Sequence, residues 1–318
     1  MEFFKLGIDI GGTKIAYGLF NQDKELVYRY KSATDPNTSI DKFIQDVLRD
    51  IHSILEVNHL TKENLKGIGM GFPSYVNFEK GIVVCTSNMR NIHHFNAKNI
   101  FHIYFPNTQI IVDNDTNLAA LAEHRYGAGK GLKNFLYTAI STGLGSGLII
   151  NNQIYRGDYG GAGESGHMII NPGNGILCGC ENQGCFMSYT SGSMIVEHVK
   201  NEIQKGKETI MSDMVNGNLE KITAEHLNLA FQQGDPLAEE MLDQIGHYLG
   251  IYIYNIFMCL NFKTYVFGGG MTYFGPPLFD RIKNTFHRYN HQKDQEIQIK
   301  IAELGEDFGI IGAAEILD

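Results

Sequence analysis

The sequence predicts an α/β protein of two lobes that contain two copies of one unit, and three observations carry this prediction. Apolar runs typical of strands alternate with longer runs of helical periodicity along the 318 residues. Residues 6–31 and 135–157 share one order of events: strand, glycine-rich turn, strand, short turn, strand. The sequence has no low-complexity segment or long linker. The two copies therefore indicate a duplicated domain whose glycine turns face each other.

The elements outside the two copies follow from their local patterns. Ser39 is a suitable N-cap for a helix whose apolar residues recur at spacings of three and four up to Leu55. Asp235 and Pro236 begin a long helix that extends to about Cys259. The other expected elements are strands at 65–72, 108–113 and 264–267 and helices at 116–127 and 309–317.

Bulk composition restricts the class of protein. The net charge of −9 disfavours nucleic acid or an anionic membrane as a partner, because either would need a basic face. The most apolar segment, 248–262, is too short to span a bilayer and is interrupted by Asn255. The first residues lack a basic region followed by an apolar one, and we therefore expect a cytoplasmic protein.

The first glycine turn is a candidate for binding phosphate. Asp9 ends a predicted strand, and Gly11 and Gly12 lead to Thr13 and Lys14. Glycines let backbone N–H groups approach phosphate oxygens, and the threonine hydroxyl adds a donor. The aspartate is placed to hold Mg²⁺ through water. A tight hairpin turn explains this motif equally well when it is taken alone.

A second glycine turn, with Thr142, Gly143 and Gly145, occupies the matching place in the later copy. Two such turns in repeated units favour phosphate binding over two plain hairpins. A run of three glycines also follows the predicted strand at 264–267 and permits close approach of a flat ligand such as adenine. A simple turn explains that run equally well. Its residues are Gly268, Gly269 and Gly270.

Asp113, Asn114 and Asp115 join a buried strand to a helix. An Asp at the start of a helix is most often only a cap. A carboxylate at the C-terminal end of a strand, between two phosphate turns, is also where a general base for a hydroxyl would lie. Asp115 is the candidate base, and Asn114 offers an amide to a polyol substrate.

Three of the five cysteines lie close to a histidine in the loop 163–187. His167, Cys178, Cys180 and Cys185 supply four soft or borderline ligands, which suits tetrahedral Zn²⁺. Loose thiols are the alternative, because C-x-C is tighter than the familiar C-x-x-C spacing. Four protein ligands leave no position for an activated water, so a zinc site here would be structural.

Taken together, these motifs and the Gly-Glu-x-Gly-His sequence before the cysteines resemble the ROK family of sugar kinases and sugar-responsive repressors. The similarity extends over residues 5–316. The resemblance implies a duplicated ribonuclease H-like fold of the actin/hexokinase/Hsp70 type, with a cleft between two lobes. It also implies transfer of the γ-phosphoryl group of ATP to a hexose hydroxyl, usually the 6-OH, with Mg²⁺ as cofactor, and a homodimer.

The resemblance also implies roles for individual residues. Asp115 matches the catalytic base of the family. Asn114, Glu164 and His167 match sugar-binding positions, and Asn88 fits the asparagine of the loop that closes over the sugar. The residues that match the phosphate turns are Asp9, Gly11, Gly12, Thr13, Thr142 and Gly143.

Two positions depart from the family pattern. The family commonly has a Glu two residues after the last cysteine, near the anomeric end of the sugar, and this chain has Met187. The hexose is therefore left open among glucose, allose, mannose and N-acetylmannosamine. The sequence around Phe72 and Pro73 also differs from the Gly-x-Pro-Gly motif that is usual in the family. In this respect it resembles the allose kinases.

We expect a small N-terminal lobe at 1–117, on which the C-terminal helix at 302–318 packs. A large lobe at 118–301 would contain the zinc loop. A sugar-responsive regulator and a non-catalytic sugar-binding protein are the alternative functions. The net charge of −9 disfavours the DNA-binding regulator, and Asp115 with the two phosphate turns favours the enzyme over a non-catalytic protein.

Overall fold

The structure, a computed structural model, describes residues 2–86, 88–89 and 91–318. The chain divides into two compact units. Unit 1 contains the residues up to Lys133, with Gly147–Gly163 and Glu303–Asp318, and unit 2 contains Asn134–Ser146 and Glu164–Ala302. The lobe boundary after residue 117 stays a prediction.

Strands and helices alternate along most of the chain. In order up to residue 126 they are β1 (Phe4–Ile10), β2 (Lys14–Phe20), β3 (Leu26–Ala33), α1 (Ile40–Val57), β4 (Leu65–Phe72), β5 (Ser74–Asn77), β6 (Ile82–Thr86), β7 (His93–Asn96), α2 (Ala97–Tyr104), β8 (Gln109–Asn114) and α3 (Asp115–Tyr126). The later elements are β9 (Phe135–Ile140), β10 (Leu144–Ile150), β11 (Gln153–Tyr155), α4 (Gly192–Gln204), α5 (Ile210–Met214), α6 (Ala224–Gln232), α7 (Pro236–Leu260), β12 (Thr264–Gly268), α8 (Pro276–Tyr289), β13 (Gln298–Ile301) and α9 (Phe308–Glu315).

Two five-stranded sheets repeat the same topology. The first has the order β3-β2-β1-β4-β8, and the second has the order β11-β10-β9-β12-β13. In the first, β2 pairs antiparallel with β1 and β3, and β4 pairs in parallel with β1 and β8. In the second, β10 and β11 are antiparallel, and β12 pairs in parallel with β9 and β13. The duplicated α/β fold predicted from the sequence is confirmed.

Helices cover the first sheet within unit 1. The Ser39 hydroxyl accepts the Lys42 N–H at the start of α1, whose apolar residues belong to the same buried core as β1 and β4. The C-terminal helix α9 also packs closely on this sheet. A Cβ at Gly69 would collide with the carbonyl oxygen of Ala313, so the glycine is required for this close approach.

The long helix α7 begins where the sequence predicts. The Asp235 carboxylate accepts the Ala238 N–H at 2.9 Å and caps the helix, and Pro236 is its first residue. The helix ends at Leu260, and the following Asn261, its C-cap, has a φ of 52° in the left-handed region. Among the described residues, no helix is both long enough and apolar enough to cross a membrane.

Candidate active site

The first glycine turn connects β1 to β2 in unit 1. The Gly11 N–H donates to the Lys14 carbonyl oxygen at 2.9 Å, and the neighbouring Thr13 is exposed. A Cβ at Gly12 would lie 2.6 Å from the Cβ of Asn88. The structure therefore brings the predicted phosphate turn against the asparagine predicted to close over the sugar.

Asp9 lies one residue before the end of β1, and its carboxylate is directly beside the start of α9, where a Cβ at Gly309 would collide with it. Burial raises the pKa of the Asp9 carboxyl to about 6, and the charge of Lys14 opposes part of this rise. An oxygen ligand next to a phosphate turn fits a role in holding hydrated Mg²⁺. That role requires the ionised carboxylate, which predominates only above about pH 6.

The raised pKa of Asp9 predicts opposite effects on activity and stability. Since the folded protein binds this proton more tightly than the unfolded chain, the carboxyl costs stability progressively as pH rises from about 3.8 to about 6, and the full cost is present above pH 6. We expect Asp9→Asn to raise the free energy of unfolding by roughly 1–3 kcal/mol at pH 8, with a smaller gain at pH 5. Turnover with MgATP should be lost, and wild-type turnover should fall below pH 6.

Urea denaturation at pH 5 and pH 8 and a pH–rate profile test this expectation. Asp23→Asn, at an exposed turn of the same unit, is the matched control and should change neither quantity. An unfolding free energy for Asp9→Asn that is below the wild-type value at pH 8 would show that burial of this carboxylate does not destabilise the fold.

The junction of β8 and α3, also in unit 1, presents the candidate base. Asn114 caps the helix, because its Oδ1 accepts the N–H groups of Thr116 at 2.8 Å and Asn117 at 3.2 Å. Its Nδ2 donates to the Ser74 carbonyl oxygen at 2.9 Å. Asp115 is the first helical residue, and its Oδ1 accepts the Thr116 N–H at 2.7 Å. The carboxylate is therefore held at the positive end of α3, where a negative charge is favoured.

The second glycine turn connects β9 to β10 in unit 2 and is braced by the start of α4. The Ser141 carbonyl oxygen accepts the Gly192 N–H at 2.7 Å. The Ser193 hydroxyl donates to the Thr142 carbonyl oxygen at 2.6 Å. Gly145 lies inside β10. The backbone at residues 141 and 142 is thus fixed by the two residues that open α4.

A pocket of about 870 Å³ adjoins this turn within unit 2. A volume of this size holds a cofactor-sized molecule, and apolar walls with a few polar groups are typical of such sites. Side chains from α4 and α6 and from the segment after β12 supply the walls. The lining includes Ser141, Thr142, Gly192, Ser193, Val196, Glu197, Ile222, Glu225, Asn228, Leu229, Gly270, Met271, Tyr273 and Phe274.

The three glycines after β12 differ in their surroundings. Gly270 lines the pocket. A Cβ at Gly268 would collide with the Tyr137 hydroxyl, and a Cβ at Gly269 would collide with the Ile140 carbonyl oxygen. Packing against β9 therefore accounts for two of the glycines, and proximity to the pocket is seen for the third.

Glu164 precedes and His167 ends a short 3₁₀ turn in unit 2. Desolvation raises the pKa of the Glu164 carboxyl above its ordinary value, and the nearby His167 opposes this rise. Met187 contacts both this turn and the second glycine turn: a Cβ at Gly166 would lie 3.4 Å from its Cβ, and a Cβ at Gly143 would lie 3.6 Å from its Cε. The thioether thus lies where the predicted sugar and phosphate segments of unit 2 approach each other.

Four buried hydroxyl groups anchor the Glu164–His167 turn. The hydroxyls of Ser146, Ser165 and Tyr252 form a triangle with sides of 2.8, 2.8 and 2.9 Å, and Thr138 contacts two of them at 3.2 and 3.4 Å. Such closed networks hold their members in one arrangement. Strands β9 and β10 and helix α7 together fix Ser165, and hence its neighbours in the turn.

The four predicted metal ligands converge in unit 2. The ligand atoms of His167, Cys178, Cys180 and Cys185 all lie within 4.8 Å of one another. The His167 Nδ1 is 3.7 Å from the Cys178 Sγ, and the Sγ atoms of Cys180 and Cys185 are 3.6 Å apart. The cysteines are free thiols.

This arrangement fits a tetrahedral zinc ion. With Zn–S bonds of about 2.3 Å, two ligand atoms of a tetrahedron lie about 3.6–3.8 Å apart. The two short separations in the cluster match that edge length. Gly184 has a φ of 78°, and a Cβ there would collide with the Asn171 carbonyl oxygen, so the loop that brings the thiols together requires glycine at this point.

Comparison with known proteins agrees with these features. The ROK family pattern matches residues 5–318. A glucokinase from Halalkalibacterium halodurans is 30% identical over 318 residues, covering 96% of this chain and 92% of that protein. The xylose repressor of Bacillus subtilis is 28% identical over 320 residues, covering 99% of this chain and 77% of the repressor.

A solved structure gives the corresponding result for the fold. The ROK family glucokinase from Streptomyces griseus, in complex with glucose and AMPPNP, is 29% identical with a TM-score of 0.82 and covers 98% of both chains. The fold of this protein is of the actin and hexokinase type. The chain belongs to the ROK family.

Several residues that support the site were not predicted from the sequence. The hydroxyl cluster joins positions far apart in the chain, and local signals existed only for Ser146, in the second glycine turn, and Ser165, inside the Gly-Glu-x-Gly-His motif. The pocket walls on α4 and α6 were missed as well. The Ser191-Gly192-Ser193 sequence just after the cysteine loop indicates a helix start next to a turn and could have suggested them.

Proposed function

We propose that this protein is an ATP-dependent sugar kinase that transfers the γ-phosphoryl group of ATP to a hydroxyl of a hexose. The observation that carries the proposal is the pocket in unit 2, which is large enough for a nucleotide and adjoins a glycine turn suited to phosphate. The glucokinase relatives, and the complex of one of them with glucose and AMPPNP, support the same reading.

In the proposed reaction, Asp115 is the general base. The hexose 6-OH attacks the γ-phosphorus, a new P–O bond forms, and the bond from that phosphorus to the β,γ-bridging oxygen breaks. The hydroxyl proton passes to the Asp115 carboxylate, and ADP leaves. Asn88, Asn114, Glu164 and His167 bind the hydroxyl groups of the sugar.

The nucleotide is held mainly by backbone groups. The base occupies the apolar pocket next to Gly270, and the turns at Gly11–Thr13 and at Thr142–Gly143 present N–H groups to the phosphates. Bound Mg²⁺ would neutralise phosphate charge, and the ionised Asp9 would hold it through water. Phosphoryl transfer depends chiefly on such positioning and charge neutralisation.

The cysteine cluster has a structural role in this proposal. His167, Cys178, Cys180 and Cys185 would hold Zn²⁺, which supplies folding energy to the loop rather than chemistry. Since the Nδ1 of His167 lies 3.7 Å from the Cys178 Sγ, its Nε2 would be the nitrogen left for the sugar. Metal ligation of Nδ1 would fix the ring orientation and leave the proton on Nε2, which would then donate to a sugar oxygen.

Met187 bears on the choice of hexose. A thioether is a weak acceptor, so it does not replace the carboxylate that the family commonly has for sugar hydroxyls at this position. We propose that the preferred sugar is one whose binding depends little on a carboxylate at position 187. Allose, mannose and N-acetylmannosamine are therefore candidates beside glucose.

A coupled ADP-release assay across these four hexoses tests both levels of the proposal. We expect Mg²⁺-dependent turnover with at least one sugar, and phosphorus NMR should identify the 6-phosphate. Met187→Glu is the matched variant and should raise kcat/KM for glucose relative to the other sugars. Absence of turnover with every hexose, while ATP still binds, would contradict the kinase proposal.

A sugar-responsive regulator is the second candidate, and the similarity to the xylose repressor favours it. Sugar binding by calorimetry without any phosphoryl transfer would be its signature. The net charge of −9 supports the enzyme, because binding to DNA needs a basic face.

We also propose a cytoplasmic location, where ATP and reduced thiols are available. A homodimer is proposed as well, and light scattering tests it.

A further inference from the structure

The carboxylate of Asp113, next to the proposed active-site pair, is nearly enclosed. Its side chain is only 2% exposed. The Oδ1 accepts the Asn114 N–H at 2.8 Å and the Asn117 Nδ2 at 3.0 Å. The Oδ2 accepts two N–H groups of Arg156, from Nε at 2.9 Å and Nη2 at 2.8 Å. The two oxygens together have about four acceptor sites, so all of them are filled.

Arg156 is itself held in place within unit 1. Its guanidinium carbon lies 3.7 Å from the centroid of the Phe78 ring, which follows β5. The segment that follows Arg156 also contacts β5, since the hydroxyl of Tyr75 in β5 donates to the Tyr159 carbonyl oxygen at 2.9 Å. A planar guanidinium stacked on a ring and forked onto one oxygen has little freedom to move.

The bonds of Asp113 lead directly to the candidate base. One of its Oδ1 partners is the backbone of Asn114, the cap of α3. The other is Asn117, in the first turn of the same helix. Asp115 lies between these two residues. The direction of the Asp115 carboxylate therefore depends on Asp113, whose second oxygen is held by Arg156.

We infer that Arg156 is a positioning residue for the general base, acting through Asp113. This inference rests on the proposed kinase function. Without the fork, one oxygen of a buried carboxylate loses its partners, and Asp113 can turn away from Asn114 and Asn117. A small displacement of the base then lowers the rate strongly.

The test compares Arg156→Ala, Arg156→Lys and the wild type with the sugar that the wild type turns over best. We expect Arg156→Ala to lower kcat by about 10–10²-fold. The KM for ATP should stay within about threefold, because the partners of Arg156, Asp113 and Phe78, are not among the residues that line the proposed nucleotide pocket. Arg156→Lys keeps the charge but not the fork, and it should fold like the wild type and still lose several-fold in kcat.

Chemical rescue separates positioning from general stability. Guanidinium at low millimolar concentrations, far below those that denature proteins, should raise kcat of Arg156→Ala by refilling the space over Phe78. The same addition should not help the wild type. Arg29→Ala, which removes an exposed Arg–Asp pair in the same unit, should have wild-type kinetics.

The outcomes are distinct. If the wild type turns over no hexose, the proposed function fails, and this inference falls with it. If the wild type is active and Arg156→Lys has wild-type kcat, the positioning role is wrong although the enzyme is a kinase. If Arg156→Ala does not fold, the kcat of Arg156→Lys at a temperature where its circular dichroism matches the wild type decides the question.

Discussion

Asp115→Asn should lower kcat by about 10²–10⁴-fold, the usual effect of removing a general base. The amide has nearly the same shape as the carboxylate but cannot take a proton from a sugar hydroxyl. Sugar affinity measured by calorimetry should stay within about threefold, because Asn114 and the other proposed sugar ligands keep their hydrogen bonds. The structure supports this separation, since the cap of α3 is provided by Asn114 and not by Asp115.

The charge at the helix start needs its own control. Asp115 is at the positive end of α3, so its loss is expected to cost about 0.3–1 kcal/mol of stability. Asp41, in the first turn of α1 and away from the site, has a comparable position. Asp41→Asn should lose similar stability and keep full turnover. Near-normal kcat in Asp115→Asn would mean that another group accepts the proton.

The sequence predicted elements with a strong local signal. Helix α1 was expected because its apolar residues recur at helical spacing after a capping serine, and α7 because Asp-Pro marks its start. The duplication of the α/β domain followed from the repeated order of strands and turns, whereas the strand order within each sheet was not predicted. The sheet of β5, β6 and β7 was missed, because these strands have only four or five residues and little apolar alternation.

The candidate site was predictable only in part, for a physical reason. Residues such as Asp9, Asp115 and the cysteines belong to short motifs whose spacing already indicates chemistry. Arg156 and Tyr252 act through contacts made by folding, and neither has a local pattern that marks it. Glycine runs are ambiguous, since packing against β9 explains Gly268 and Gly269 as fully as a ligand would.

The cysteine cluster should also have a large effect when it is broken. In Cys180→Ala, we expect zinc to be lost and the loop to lose its anchor, because three ligands bind the ion more weakly than four. The cost of a few kcal/mol should lower the unfolding temperature by several degrees, at about 2–4 °C per kcal/mol for a large domain. Sugar KM should rise more than ATP KM, because the Nδ1 of His167 loses the partner that orients the ring.

Cys259→Ala is the matched control, since this exposed free thiol lies outside the cluster. It should keep its zinc, measured by plasma mass spectrometry, and wild-type values of both KM constants. A wild-type protein without zinc would contradict the structural-metal proposal. If zinc is present but Cys180→Ala raises the two KM values equally, the metal stabilises unit 2 in general and does not orient His167. A selective rise for the sugar links the metal to substrate binding.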